Sequence, residues 1–154
     1  MRVEAAVLIG ADPATVFRFI AAVENGPRWQ EGAISTRVTT PGPVRLGSEI
    51  EHVGRWLGIR IPTRGVVTVF ERDAAFGYDI TSALSATPSR MRYALAPMAQ
   101  GTKLTLATEA TLPRVMVPLA PLLRRSVQRM FERDVTRLRD AIETADTAAD
   151  AVTT

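Results

Sequence analysis

The sequence predicts an α+β domain in which an antiparallel meander is closed by a long C-terminal helix, and three observations predict it. Residues 33–112 alternate apolar and polar side chains between closely spaced turn signals, as consecutive strands do. Residues 113–143 switch to helical spacing over a length that needs a covering surface. A proline-started helix with a Gly-Pro break separates the first strand from the meander. The only sheet that can cover the last helix comes earlier in the chain, and that arrangement leaves room for a cavity between them.

The elements follow in order. Val3–Gly10 reads as the opening strand, and Asp12-Pro13 supplies an N-cap with proline at the first helical position. In Pro13–Ala22, Val16, Phe17 and Ile20 form one apolar face. Gly26-Pro27 breaks the helix and permits one further short helix ending near Trp29, so two short helices lie between strands one and two. Turn signals at Thr40-Pro-Gly-Pro43, Gly58, Asp73–Ala75, Thr87-Pro88 and Gln100-Gly101 then divide the meander into strands at 33–40, 47–57, 59–71, 75–84, 89–98 and 102–112, about seven strands in all. On the last helix, Leu119, Leu123, Val127, Met130, Phe131, Leu138 and Ile142 form the apolar stripe; Pro113, Pro118 and Pro121 confine its regular part to the chain after Pro121. Residues 1–143 form a single domain, and the small polar residues 144–154 read as a flexible tail.

Alternation assigns the two faces of the sheet. Ile50, His52 and Trp56 share one face with Ile59, Ile61, Val67 and Val69, with Phe76, Tyr78 and Ile80, with Met91, Tyr93 and Leu95, and with Leu104 and Leu106. The other face carries Glu49, Glu51, Arg55, Arg60, Arg64, Asp79, Arg90, Arg92 and Lys103, the pattern of a solvated surface.

Composition removes several function classes. There is no cysteine, so thiolate metal sites, disulfides and cysteine nucleophiles are excluded, and the single histidine, His52, excludes a multi-histidine metal site. No metal or other cofactor is expected. Val7–Ile9 is too short for a signal-peptide core and no segment approaches a membrane span, which predicts a soluble cytoplasmic protein. The net charge of +3 is too small for a nucleic-acid footprint, and no nucleic-acid partner is expected. An exposed edge strand could pair two copies into a homodimer.

The order of strand, broken helix, six-strand meander and closing helix resembles the START-related SRPBCC superfamily, which includes polyketide cyclase/dehydrase-like and birch-pollen-allergen-like proteins. Ala11-Asp-Pro-Ala-Thr-Val-Phe17 with Pro27-Arg-Trp29 is similar to that family's opening helix and tryptophan corner. Thr40-Pro-Gly-Pro-Val-Arg-Leu-Gly47, Tyr93-Ala-Leu-Ala-Pro97 with Gly101-Thr102, and Arg133-Asp-Val-Thr-Arg-Leu138 are similar to its turn into the third strand, its sixth-to-seventh-strand turn and its helix end. The likeness spans residues 3–143. It implies a helix-grip fold, a curved sheet around the closing helix with an apolar cavity between them, and it transfers a pocket more safely than an activity.

His52 on the inner face is a candidate general base or ligand-orienting group, or else a buried imidazole bonded to the backbone. Asp134 falls in the middle of the apolar arc of the last helix, where an unpaired carboxylate would cost several kcal/mol. It is a candidate polar floor of the pocket, paired with His52 or a ligand hydroxyl; the competing reading has it capping loop amides or meeting an arginine. These two are the candidate catalytic residues. Trp29, Ile50, Trp56, Ile61, Phe76, Tyr78, Ile80, Met91, Tyr93, Val127 and Met130 complete the candidate ligand-binding set, with Ser82 and Thr63 as further polar groups. Arg125, Arg129, Arg133 and Arg137 make a drifting basic stripe, read as a solvated face with the local pairs Arg129–Glu132, Asp134–Arg137 and Arg139–Glu143. The expected function is binding or transport of a small hydrophobic molecule, a lipid, sterol-like compound or polyketide. The alternatives are a cyclase, dehydratase or aromatase using His52 with a tyrosine or Asp134, and a ribosome-associated interaction module acting through surface arginines.

Overall fold

The computed structural model describes residues 1–56, 58–82 and 85–153; the side chains of Trp56, Ser85, Ala86 and residues 146–153 lie outside that description. The order is β1 (Arg2–Ile9), α1 (Pro13–Ala21), a 3-10 segment (Val23–Arg28), β2 (Ala33–Val38), β3 (Glu49–Trp56), β4 (Ile59–Glu71), β5 (Ala75–Ser82), β6 (Ser85–Met98), β7 (Gly101–Glu109), a second 3-10 segment (Arg114–Leu119) and α2 (Ala120–Thr153). The seven strands form one antiparallel sheet in the order β1-β7-β6-β5-β4-β3-β2, the chain closing its first strand onto its last. With α2 packed on one face of this curved sheet, the architecture is a helix-grip fold.

Local chemistry sets the ends of the elements. Asp12 Oδ1 accepts from the Thr15 amide at 2.8 Å, which caps α1. The break after α1 falls at Ala22 rather than at Gly26-Pro27. The Gly26 carbonyl accepts from both Trp29 and Gln30, so the turn passes over Pro27 without needing the amide hydrogen that proline lacks. Gly101 lies at φ +139, and a Cβ there would collide with the Ile9 carbonyl oxygen. That close approach lets buried Thr102 donate to the Ala11 carbonyl at 2.8 Å, locking β7 to the end of β1.

Thr87-Pro88, expected as a turn, lies within β6. The β5–β6 register shifts between Ile80 and Ser82, and β7 pairs with β6 only from Arg90 onward, so Pro88 sits where a missing amide hydrogen is tolerated. Two side chains change face from the simple alternation. A shift between Val67 and Val69 turns Phe70, instead of Val69, toward Phe17, with ring centroids 5.3 Å apart. Ile59, expected inside, is 65% exposed beside the β3–β4 turn.

The core lies between the sheet and the stretch of α2 from Phe131 to Ile142, where Phe131, Val135, Leu138 and Ile142 are buried in one cluster with Val3, Ile9, Leu104 and Leu106. Val135 belongs to this stripe although the sequence pattern does not single it out; Leu119, expected in the stripe, is 53% exposed in the 3-10 lead-in. Side chains of α2 also occupy main-chain groups of edge strand β1: Arg124 donates to the Arg2 carbonyl at 3.4 Å, Gln128 to the Glu4 carbonyl at 2.8 Å, and Glu143 accepts from the Gly10 amide at 2.8 Å. This sets the helix along β1 in the same direction and covers that edge. The helical backbone continues to Thr153, beyond the expected end at residue 143, in keeping with the helix propensity of its alanines.

The outer face of the sheet is charged as expected, with Arg92–Asp79 at 3.0 Å and Arg2–Glu109 at 3.3 Å. Along α2, Arg133 reaches Glu31 at 3.0 Å and Arg139 reaches its neighbour Asp140 at 3.1 Å.

Candidate functional site

A cavity of about 310 Å³ opens between the sheet and α2. Ile20 and Val23 close it from the helical connection, Ile50, Ile61, Ile80 and Met91 from the sheet, and Met130 and Phe131 from α2. Arg55, expected on the outer face, also borders the cavity at the end of β3; otherwise the lining is apolar except at two places.

The first is on β2 and β3. Thr36 and His52 face each other in register across the two strands, and Thr36 Oγ1 lies 2.8 Å from His52 Nδ1. Burial holds the imidazole below its ordinary pKa, so it is neutral near pH 7. Which ring nitrogen carries the proton sets its chemistry: with Thr36 donating to Nδ1, Nε2 is a donor, and with Nδ1 donating to Thr36, Nε2 is an acceptor and base. A Cβ at Gly54 would stand 3.3 Å from Nε2, so glycine two residues along the same face keeps the space beside that nitrogen open. Thr63 Oγ1 donates to the His52 carbonyl at 3.3 Å, from the neighbouring strand.

The second lies farther across the sheet and on α2. Tyr78 on β5 and Tyr93 on β6 place their hydroxyls 3.4 Å apart, and the Gln30 side chain lies close to both. Burial raises both phenols, Tyr93 well above its ordinary value with Tyr78 and Asp134 adding to the effect, so they serve as neutral hydrogen-bonding groups. Trp29 stands edge-on to Tyr93 with ring centroids 6.2 Å apart. Asp134, 4% exposed, accepts the Glu31 amide at 3.0 Å. Burial lifts its carboxyl from the ordinary 3.8 to about 6, with the Glu31 amide opposing that shift.

Of the sequence candidates, Trp29, Ile50, His52, Ile61, Tyr78, Ile80, Met91, Tyr93, Met130 and Asp134 line this one cavity, together with Thr63. Phe76 does not: fully buried, it stacks behind the lining against Phe17 and Tyr93. Val127 packs at the edge of the core, and Ser82 lies past the β5 bulge. The Trp56 side chain lies outside the described residues. His52 and Asp134 line the same space, each with another partner: Thr36 for the first, the Glu31 amide for the second. The amide-capping reading of Asp134 is the one the geometry matches. Gln30 and Thr36 are polar lining residues that the sequence pattern does not single out. For Thr36 a signal exists, since pairing β2 with β3 puts it opposite His52, whereas Gln30 sits in an aperiodic corner with no local pattern. Among the described residues there is no group of three or more His, Asp or Glu that could hold a metal ion, and no helix long and apolar enough to cross a membrane.

Solved structures share this architecture at low sequence identity, a likeness of fold alone. TTHA0849 from Thermus thermophilus superposes with a TM-score of 0.75 at 16% identity, covering 94% of this chain and 99% of that one. A START superfamily protein from Mycobacterium smegmatis gives 0.74 at 13%, covering 94% and 98%. The Zhui aromatase/cyclase from Streptomyces sp. R1128 gives 0.74 at 12%, covering 93% of each chain. No curated protein matches the sequence. The family profile described as polyketide cyclase / dehydrase and lipid transport matches residues 1–143, nearly the whole fold described above, and the chain belongs to that family.

Proposed function

We propose that the protein binds and carries a small apolar molecule with an oxygen-bearing end, held between the sheet and α2. The observation that carries this reading is the distribution of polarity in the cavity: apolar walls, with polar groups gathered at Thr36–His52, at Gln30–Tyr78–Tyr93 beside Asp134, and at Arg55 on the end of β3. Such a pocket takes up hydrophobic surface and orients it by a few polar contacts. A lipid, sterol-like molecule or polyketide fits this chemistry, and the family's description is compatible with each. Native mass spectrometry of protein purified from its own host, with the bound compound extracted and identified, tests it. A stoichiometric apolar compound, lost in Met130→Trp, is the expected result; a clean apo mass together with no uptake of fatty acids, sterols or aromatic polyketides would sink the reading.

A second reading is favoured by the neutral imidazole with space at Nε2: cyclase- or dehydratase-type chemistry in which His52 abstracts a proton beside a ketone held by the tyrosines. Turnover of a poly-ketone substrate that falls by about 100-fold or more in His52→Gln, with binding retained, would select it.

A further inference from the structure

The segment from Ala110 to Phe131 holds Arg114, Arg124, Arg125 and Arg129 and no acidic residue. Its charge of +4 exceeds the +3 of the whole chain, so the remainder carries −1 and the positive excess is concentrated here. Apolar side chains stand in the open on the same stretch: Val115 is 85% exposed, Leu122 67%, Val117 55% and Leu119 53%. None of these four arginines and four aliphatic residues contributes to the cavity wall or the core. Isolated exposed apolar residues are ordinary; four within eight positions, bordered by arginines, are not.

The segment also has a defined place. Arg124 reaches the Arg2 carbonyl, so the start of α2 lies at the end of the sheet where β1 begins. The strand register puts Glu109 and Arg90 in the same row as Arg2, and across the sheet β2 begins, and β3 ends, at that end as well. Gly54 and Ile61 of the cavity wall pair with each other there.

We propose that the segment Arg114–Arg125 is a docking surface for an anionic lipid bilayer, with Val115, Val117, Leu119 and Leu122 entering the interface and Arg114, Arg124 and Arg125 meeting headgroup phosphates. Interfacial binding sums buried apolar area and attraction to anionic lipid, and this stretch offers both. A nucleic-acid partner would use the arginines and leave the aliphatic side chains in water, with no aromatic platform for bases within the segment. Docking here would bring the cavity end of the sheet to the membrane. The surface stands on exposure and charge independently of which ligand the cavity holds.

The test is flotation of the full chain with phosphatidylcholine vesicles, with and without phosphatidylglycerol. Binding to the anionic vesicles only, reduced by high salt, is expected. Val115→Ser/Leu122→Ser changes exposed side chains only and should weaken it by about tenfold or more. Arg114→Ser/Arg125→Ser should weaken it by about 30-fold, while Arg72→Ser/Lys103→Ser, exposed at the opposite end of the sheet, should leave it unchanged. The proposal is overturned by equal binding to neutral vesicles, by no binding, or by equal loss in the Arg72/Lys103 control. It is also overturned by a concentration-dependent dimer that Leu122→Ser abolishes, which would mean a second copy covers the patch. Retention of an RNA oligonucleotide that needs the arginines and ignores Val115 and Leu122 would overturn it too. Because the readout is flotation without cargo, its failure is distinct from failure of the carrier reading.

Discussion

The closing segment from Leu119 to Ile142 divides into two halves that are built from similar apolar residues and end in opposite environments. From Phe131 onward the stripe is buried, with Val135 3% exposed, Leu138 0% and Ile142 1%. Before it, Met130, Val127 and Leu123 are only partly covered, and Leu122 and Leu119 stand mostly in water. The second half is part of the core and begins at the cavity wall with Phe131 and Asp134; the first half touches the cavity only at Met130 and is held to β1 by Arg124 and Gln128. One helix therefore serves as wall at one end and as exposed surface at the other, and Asp134 lies close to where one role gives way to the other.

The largest test of this contrast is truncation within the buried half. Leu138→Ala removes a fully buried side chain of the core cluster and should cost about 2–5 kcal/mol, read as a fall in the urea midpoint with an unchanged slope. A loss below about 1 kcal/mol would mean that the second half is not the anchor.

Next in size is the carboxylate at the junction. The unfolded chain releases the Asp134 proton near 3.8 and the folded chain near 6, so between these values unfolding releases a proton. Stability contributed by the protonated carboxyl is full below about pH 3.8, falls as pH rises, and is gone above about 6. Asn keeps an oxygen for the Glu31 amide and carries no charge. Asp134→Asn should therefore raise stability at pH 7.5 by about 1–2 kcal/mol, after allowing for water at the cavity mouth, and gain little at pH 4. A gain independent of pH would show that the carboxyl is not the source, and a loss at pH 7.5 would show that its ionised form is held by partners stronger than the single amide.

How much of this contrast the sequence carries follows from the range of the forces involved. Period-two and helical spacing are local, and they place every strand to within a few residues and the closing helix over its buried part, although its backbone runs on from the expected end at residue 143 to Thr153. Helical spacing alone also puts Asp134 inside the apolar arc. What spacing cannot show is where the helix runs out of sheet to cover it: Leu119 and Leu138 look alike in one dimension, and only the length and curvature of the sheet separate them. Bulges have the same effect on a smaller scale. A single extra residue between Val67 and Val69 exchanges Val69 for Phe70 on the inner face, and no residue type announces it. Gln30 and Thr36 enter the site through tertiary pairing, and the likeness to the START-related family locates the pocket without specifying these two. The partners of His52 and Asp134 likewise come from β2 and from the corner before it, two elements whose contacts no local spacing encodes, so the one-dimensional pattern leaves His52 and Asp134 to suggest each other.

At the junction itself, filling the cavity should separate binding from folding. Met130→Trp adds bulk where the helix wall is only partly packed, so it should abolish ligand uptake while shifting stability by no more than about 1–3 kcal/mol, the range for overpacking. Uptake at the native level would place the ligand elsewhere.

The smallest effect sharpens the contrast most. In water, Leu122 already exposes most of its surface, so replacing it with serine removes few protein contacts and should change stability by less than about 0.5 kcal/mol. A change of that size in Leu122→Ser, set beside several kcal/mol in Leu138→Ala, cannot arise from helix propensity, which differs by only a few tenths of a kcal/mol between leucine and serine. It has to come from the surface each position meets. If Leu122→Ser instead costs more than about 1 kcal/mol, the first half of the helix is packed in solution and the apolar lead-in belongs to the core. If it is silent for folding, the four exposed aliphatic side chains contribute nothing to the isolated fold, and the physical reason for their presence has to be sought in what the protein touches.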